Sequence, residues 1–163
     1  LRTRRQRQMC IRDRTNRVAL SFSINKIVCK LSVIEKDKKM KTSSEYLKEA
    51  NALVEKIDVE MGIDRHKSGK AIFIDVRDSA DIASTGTIKG SLQIPRGFIE
   101  FAADESTPFY NKALSKDQEI ILVCGAGGMA ALTGKTMIEM GYKNVKNVGG
   151  IGDWIKAEGP VEK

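Results

Sequence analysis

Apolar and polar residues follow one another along residues 42–157 in a pattern that predicts strands alternating with helices. Short apolar runs with the length of buried strands occur at 71–76, 91–94, 119–123 and 145–148. Runs of this kind are typical of strands that are covered on both faces. Helical segments are predicted at 78–83, 128–140 and 151–157, and 97–103 is predicted to be a helix or a half-ordered lid. This alternation predicts an α/β domain with a mainly parallel central sheet flanked by helices.

The segment before the first predicted strand has the pattern of a helical extension. Thr42 and Glu45 have the spacing of a capping box, in which each side chain bonds the backbone of the other residue. Apolar residues then recur at helical spacing, at Leu47, Ala50, Leu53, Val54 and Ile57. A second short helix is expected over 59–66, followed by a turn at 67–70. We therefore divide the chain into an extension over 40–70 and a main domain over 71–163.

Residues 1–39 differ from the rest of the chain in charge and are predicted to be a disordered basic tail. The formal net charge of the chain is +7, and it arises from Lys and Arg residues before position 42. Three interpretations stay open: an organellar transit peptide, a basic arm for membranes or nucleic acid, or a stretch that is not native. We favour the third, with a native start near Met40, because residues 5–14 resemble a translated sequencing adapter.

Composition excludes several classes of function for the main domain. Without its tail the chain is mildly acidic, which argues against nucleic acid as a partner. The longest apolar stretch, at 18–34, is interrupted by Lys26 and Lys30, so no membrane span is predicted. An odd number of cysteines without close pairs argues against a disulfide framework or a zinc site and indicates a reducing, cytoplasmic location. His66 stands in a charged stretch and is predicted to be a solvated surface residue.

The loop after the third apolar run carries the candidate chemistry. Cys124 ends that run and is followed by glycines and a predicted helix. Backbone N–H groups in such a loop converge on one point, and a helix N-terminus adds partial positive charge there. A cysteine that ends an apolar strand is often a small core residue, but the neighbouring glycines favour close approach of a bound group. The predicted site comprises Cys124 as nucleophile and the loop residues Gly125, Ala126, Gly127, Gly128, Met129 and Ala130.

Other residues are expected at the same edge of the sheet, because ligands bind beyond the carboxyl ends of parallel strands. Asp75 and Arg77 end the first apolar run; an ion pair that holds the strand ends is favoured over direct contact with substrate. Arg96 is a candidate source of positive charge. Phe98 and Phe101 are expected either at a pocket rim or in the core. Trp154 is expected to be core packing.

Five motifs in this order resemble a rhodanese domain of the single-domain bacterial type. They are Ile74-Asp75-Val76-Arg77, Gly86-Thr87-Ile88-Lys89-Gly90-Ser91, Ile94-Pro95-Arg96-Gly97, the Cys124 loop, and Gly149-Gly150 with Trp154. The resemblance implies a three-layer α/β fold and transfer of sulfane sulfur through a persulfide on Cys124. The donor would be thiosulfate, another small sulfur compound or a protein persulfide, and the acceptor a thiol or cyanide. Asp75, Arg77 and the loop are the implied substrate-binding residues, and no cofactor or metal is implied.

The chain departs from the family pattern at three positions. Met129 stands where the family loop usually has arginine, Ala126 where serine is common, and Thr87 where histidine is usual. Loss of the arginine removes a cation beside an anionic donor, so we predict weak activity with thiosulfate. The same departure keeps open a rhodanese-like binding or regulatory module with little turnover. A phosphatase or arsenate reductase needs a loop arginine at position 129 or 130, and Met129 and Ala130 argue against that class.

Overall fold

A five-stranded sheet lies at the centre of the computed structural model, which describes residues 40–163. The tail at 1–39, and the interpretations made of it, lie outside the described residues. The helices are α1 (Ser43–Leu53), α2 (Val59–Ser68), α3 (Ser79–Thr85), α4 (Ile99–Ala102), α5 (Gly128–Glu139) and α6 (Ile151–Lys156), with a 3-10 turn at Arg96–Phe98 before α4. The strands are β1 (Glu55–Lys56), β2 (Ala71–Asp75), β3 (Thr87–Ile88), β4 (Leu92–Gln93), β5 (Glu119–Cys124), β6 (Asn144–Gly150) and β7 (Val161–Glu162).

The strand order in the central sheet is β1-β6-β5-β2-β4, and neighbouring strands are parallel. In β2 and β5, Asp75 lies opposite Val123, so the carboxyl ends of these two strands meet at one edge. A separate antiparallel pair joins β3 to β7. The predicted α/β fold with a mainly parallel sheet is confirmed.

The core lies on both faces of the sheet, as the apolar runs predict. Along β5, Ile120 and Leu122 belong to one buried cluster, and Ile121 and Val123 belong to a second cluster on the other face. All four of these side chains are 0% exposed. Because each face is covered, β5 is a continuous apolar run rather than an alternating one.

The helical extension begins as predicted but ends earlier. Thr42 and Glu45 form the full capping box, which confirms the predicted start of α1. The helix ends at Leu53, and the prediction that Ile57 shares its apolar face is wrong. Glu55–Lys56 is instead a strand at the edge of the sheet, and the N–H of Ile57 donates to the Asn147 carbonyl at 3.0 Å. The chain becomes extended here because pairing with β6 satisfies its backbone.

Helix α1 packs directly on α5. A Cβ atom at Gly134 would lie 2.8 Å from Cγ2 of Val54, so a glycine is needed for this close approach. Lys135 and Glu49 form an ion pair at 2.8 Å across the same contact. Residues 42–163 form one compact unit; the division at residue 70 stays a prediction.

Two further predictions are corrected by long-range contacts. Gly149 and Gly150 belong to β6 and are not a turn after it. His66 is half-buried: its ring lies edge-on to Phe73 at 5.3 Å and to Trp154 at 6.0 Å, and its Nε2 bonds the Lys89 carbonyl at 2.7 Å. It is therefore not a solvated surface residue. Trp154 is fully buried, as predicted.

Candidate functional site

Cys124 is the last residue of β5 and lies beneath the loop that opens α5. Its side chain is 1% exposed, and its Sγ accepts a hydrogen bond from the Gly127 N–H at 3.0 Å. Gly125 and Ala126 are exposed above it. The thiol therefore sits at the base of a short loop whose backbone faces solvent, as the strand-glycine-helix pattern predicts.

The loop is shaped by Gly127, which caps α5 with a left-handed backbone (φ +88°). Its carbonyl accepts the first helical hydrogen bond, from Ala131 at 3.0 Å. The N–H groups in the first turn of a helix have no partner within it and are free for an anion. The sequence predicts that several backbone N–H groups of the loop converge on one point. In the described part of the chain, the N–H that donates to Sγ is that of Gly127.

The glycines of the loop do not share one reason for being glycine. Gly127 needs its positive φ, and a Cβ there would also lie 3.2 Å from Cα of Gly149. A Cβ at Gly125 meets no protein atom within 4 Å, and one at Gly128 makes ordinary contact with Leu47. The protein's own backbone and packing thus require glycine at Gly127 alone of these three. Close approach of a bound group to Gly125 and Gly128 stays a prediction.

Asn147 in β6 is a site residue that the sequence reasoning missed. Its side chain is buried, donates from Nδ2 to the Gly127 carbonyl at 3.0 Å, and accepts at Oδ1 from the Gly149 N–H at 2.8 Å. The sequence contained one indication of this role, because Asn147 is a polar residue inside a predicted buried strand at 145–148. Gly150 lies beside it, and a Cβ there would come within 2.6 Å of the Gly125 carbonyl oxygen. The end of β6 therefore supports the loop from below.

Asp75 and Arg77 form a buried ion pair at the end of β2. Nη2 of Arg77 lies 2.6 Å from Oδ2 of Asp75, and their side chains are 3% and 0% exposed. Arg77 also donates to the Gly86 carbonyl and the Thr85 hydroxyl, each at 2.7 Å, and Asp75 accepts from Thr87 at 2.8 Å. The ion-pair interpretation is confirmed, while contact of these side chains with substrate stays a prediction.

Arg96 does not supply the missing loop cation. Its guanidinium bonds Glu100 at 2.9 Å and Thr136 at 3.2 Å. Thr136 lies more than two turns along α5 from Gly128, about 12 Å at the helical rise. Burial acts to raise the pKa of Glu100, but the Arg96 hydrogen bond and charge outweigh it, and the pKa is lowered. Arg96 is thus held by a carboxylate away from the loop.

Exposed apolar side chains occur at the start of α5 and in the segment 98–109. Met129 is 40% exposed in the first turn of α5, at the position of the family arginine. Phe98 lies 5.8 Å from Phe101 and 5.5 Å from Phe109 between ring centres, and all three are exposed. Burial of Phe98 and Phe101, one of the two alternatives, is therefore wrong; a role at a pocket rim stays a prediction.

Two other kinds of feature are absent from residues 40–163. The described residues contain no group of three or more His, Cys, Asp or Glu side chains that could hold a metal ion. None of the helices over the same range has the length and apolar character needed to cross a bilayer.

A buried thiol at a strand end, under a glycine loop that opens a helix, defines an α/β protein with a candidate cysteine site at the carboxyl edge of its sheet. The sequence profile of the rhodanese-like domain matches residues 59–157, and this chain belongs to that family. The resemblance read from the five motifs is thereby confirmed.

Solved structures with the same fold carry different descriptions. A protein of unknown function from Rhodopseudomonas palustris, described as a "possible tyrosine phosphatase", is 33% identical, with a TM-score of 0.72 over 77% of this chain and 98% of that one. A polysulfide-sulfur transferase homodimer from Wolinella succinogenes is 25% identical, with a TM-score of 0.58 over 71% and 83%. The human single-domain sulfurtransferase, at 23% identity and a TM-score of 0.55 over 62% and 95%, shares the fold. No curated protein sequence matches this chain.

Proposed function

We propose that this protein is a sulfurtransferase that carries sulfane sulfur as a persulfide on Cys124. The observation that carries the proposal is the Gly127 N–H directed at Sγ, at the N-terminus of a twelve-residue helix. Donors of this kind favour an anionic sulfur without a metal or organic cofactor. The Wolinella protein, named as a polysulfide-sulfur transferase, supports the same class of reaction.

The reaction has two displacement steps that balance without a further reagent. The Cys124 thiolate attacks the outer sulfur of the donor, the donor's S–S bond breaks, and the leaving group departs with the electron pair as sulfite or a thiolate. An acceptor thiolate or cyanide then attacks the outer sulfur of the Cys124 persulfide. The Cys–S–S bond breaks, and the Cys124 thiolate is regenerated. Thiolate is the reactive species in both steps.

The charges near the loop favour donors of low charge over thiosulfate. Met129 is neutral, and three cations on surrounding elements are held by carboxylates: Arg77 by Asp75, Arg96 by Glu100 and Lys135 by Glu49. In the part of the chain that the structure describes, these three cations are thus neutralised by carboxylates, and a dianion at the loop meets mainly backbone dipoles. An alkyl persulfide, a polysulfide or a protein persulfide fits such a site better. A cytoplasmic location, where thiols stay reduced, is part of the same proposal.

Met129 also supports a second candidate, a binding or regulatory module with little turnover. Such a module keeps the fold and the loop and uses them to hold a partner. The phosphatase description of the Rhodopseudomonas relative is not extended to this chain, because positions 125–130 contain no arginine to grip a phosphate. Hydrolysis of p-nitrophenyl phosphate is therefore expected to be absent.

Mass spectrometry of the intact protein after incubation with a donor tests the proposal. The parent carries Cys10→Ser and Cys29→Ser, so Cys124 is its one thiol, and the control adds Cys124→Ser. The parent should gain about 32 Da, one sulfur atom, with an alkyl persulfide and lose it on addition of a thiol. The control should gain nothing. A parent that stays unmodified with alkyl persulfide, polysulfide and thiosulfate alike contradicts the enzyme and favours the binding module.

A further inference from the structure

Asn147 connects the central sheet to the residue that bonds the candidate nucleophile. Its Nδ2 donates to the carbonyl of Gly127, whose own N–H donates to Sγ of Cys124; both distances are 3.0 Å. Its Oδ1 accepts from the Gly149 N–H at 2.8 Å. The side chain is 3% exposed, so water does not substitute for either partner. Loop and strand are joined through one buried amide.

The chemistry of its neighbours fixes the orientation of this amide. The Gly149 N–H can only donate and the Gly127 carbonyl can only accept, so Oδ1 and Nδ2 cannot exchange places. An irregularity in the strand pairing puts Asn147 there: Leu122 pairs with Asn147, but Val123 pairs with Gly149. The intervening residue, Val148, has no partner in this register, and a one-residue shift of this kind re-aims the neighbouring side chains.

We propose that Asn147 is the positioning residue of the Cys124 loop, which holds Gly127 so that its N–H points at the sulfur. The inference rests on the proposed function, since Cys124 is the nucleophile it serves. Gly127 has a left-handed backbone, and the hydrogen bond from this amide ties its carbonyl to β6. Removal of the amide leaves its carbonyl without that donor and frees the loop to turn its N–H away from Sγ.

The reactivity of Cys124 should therefore depend on Asn147, although the two side chains act through Gly127. A hydrogen bond to an ionised group is worth enough to change an equilibrium by about tenfold or more. Loss of the aligned Gly127 N–H should lower the fraction of reactive thiolate at neutral pH by about that factor. Loss of core packing alone gives no such change.

Two substitutions of Asn147 and one control separate these effects. Asn147→Leu removes both bonds while it keeps the side-chain volume and adds no charge, and Asn147→Ala removes both bonds together with the volume. The control is Val145→Ala, which removes buried atoms near the other end of β6. Each is made in the Cys10→Ser/Cys29→Ser parent, and the rate of Cys124 alkylation by iodoacetamide is measured from pH 5 to 10, with thermal unfolding as a check.

Both Asn147 variants should move the midpoint of the alkylation profile upward by about one pH unit, which is a tenfold slower reaction at pH 7. Val145→Ala should lower the unfolding temperature and leave the midpoint where the parent has it. An unchanged midpoint in folded Asn147 variants overturns the inference. If neither variant folds, Gly127→Ala disturbs the same contact from the loop side and must give the same shift.

Alkylation needs no sulfur donor, so the two proposals fail separately. A parent that takes up no sulfur, with Asn147 variants that still shift the profile, overturns the sulfurtransferase and leaves the positioning role. A parent that forms the persulfide, with Asn147 variants that alkylate like the parent, overturns the positioning role alone.

Discussion

The buried pair of Asp75 and Arg77 makes a quantitative prediction about stability. Substitution of Arg77 by Met removes a guanidinium that bonds both carboxylate oxygens of Asp75, the Gly86 carbonyl and the Thr85 hydroxyl. Asp75 is 0% exposed, so its charge stays in the interior without its counter-ion. Removal of one partner from such a pair costs about 3–5 kcal/mol, a large part of the roughly 5–15 kcal/mol that holds a domain folded.

Urea unfolding followed by circular dichroism measures this loss. Asp75→Asn/Arg77→Met should be less destabilised than Arg77→Met, because no buried charge is then left unpaired. The matched control is Lys143→Met. Lys143 and Asp117 also lie 2.6 Å apart, but both side chains are more than two-thirds exposed. Water and ions screen that pair, so its loss should leave the urea midpoint unchanged.

Two results would refute the reasoning. One is a free energy of unfolding for Arg77→Met within about 1 kcal/mol of the parent, the net value of an ordinary hydrogen bond. The other is a double variant that is as unstable as Arg77→Met, since the argument rests on the charge of Asp75. Persulfide formation per folded molecule should be unchanged in both variants. A loss there would indicate the contact with substrate that the family resemblance implies.

Three further predictions concern other contacts. Met129→Arg should lower KM for thiosulfate about fivefold or more, because unit charges about 4 Å apart attract by about 1 kcal/mol even in water. The neutral control Met129→Gln should leave KM unchanged. An equal KM in the two variants would contradict the charge argument. Burial raises the pKa of Tyr142 to about 12, and its phenol donates to the Ala103 carbonyl at 2.9 Å. The stabilisation from the protonated Tyr142 phenol is present below about pH 10 and is lost as pH rises through about 12. The difference in free energy of unfolding between the parent and Tyr142→Phe, measured with urea, should therefore shrink over that range. A difference that stays constant would contradict this prediction. Gly134→Val should cost about 1–3 kcal/mol by overpacking against Val54, and the loss in thermal unfolding should be less than additive with Val54→Ala; strict additivity would exclude the contact.

The sequence pattern was sufficient to predict the structure of those segments whose stabilising contacts lie within the segment itself. The apolar run of β5 predicts a strand because both faces are covered, and the glycines after Cys124 predict the loop and the start of α5. The capping box at Thr42 predicts the start of α1 because its two bonds lie within one turn. The ion pair of Asp75 and Arg77 was predictable because a single residue separates them in the chain.

Distant partners determine what the sequence did not reveal. His66 is neighbour to charged residues in the chain, but packing of α2 places its ring against Phe73 and Trp154. Gly149 and Gly150 have the composition of a turn, yet pairing with β5 makes them a strand. The role of Asn147 depends on a one-residue irregularity between two strands. Such a shift is decided by packing on both faces of the sheet, which local composition does not report.

The short strand β1 covers part of one edge of the central sheet. It lies before the family match, which begins at residue 59, and it contributes Glu55 and Lys56 to the border of the sheet beside β6. Without it, the seven residues of β6 would form an open edge that could template pairing with another chain. Two residues with charged, exposed side chains occupy part of that border instead. We therefore expect removal of the segment before residue 59 to expose β6 to edge-to-edge pairing with another chain.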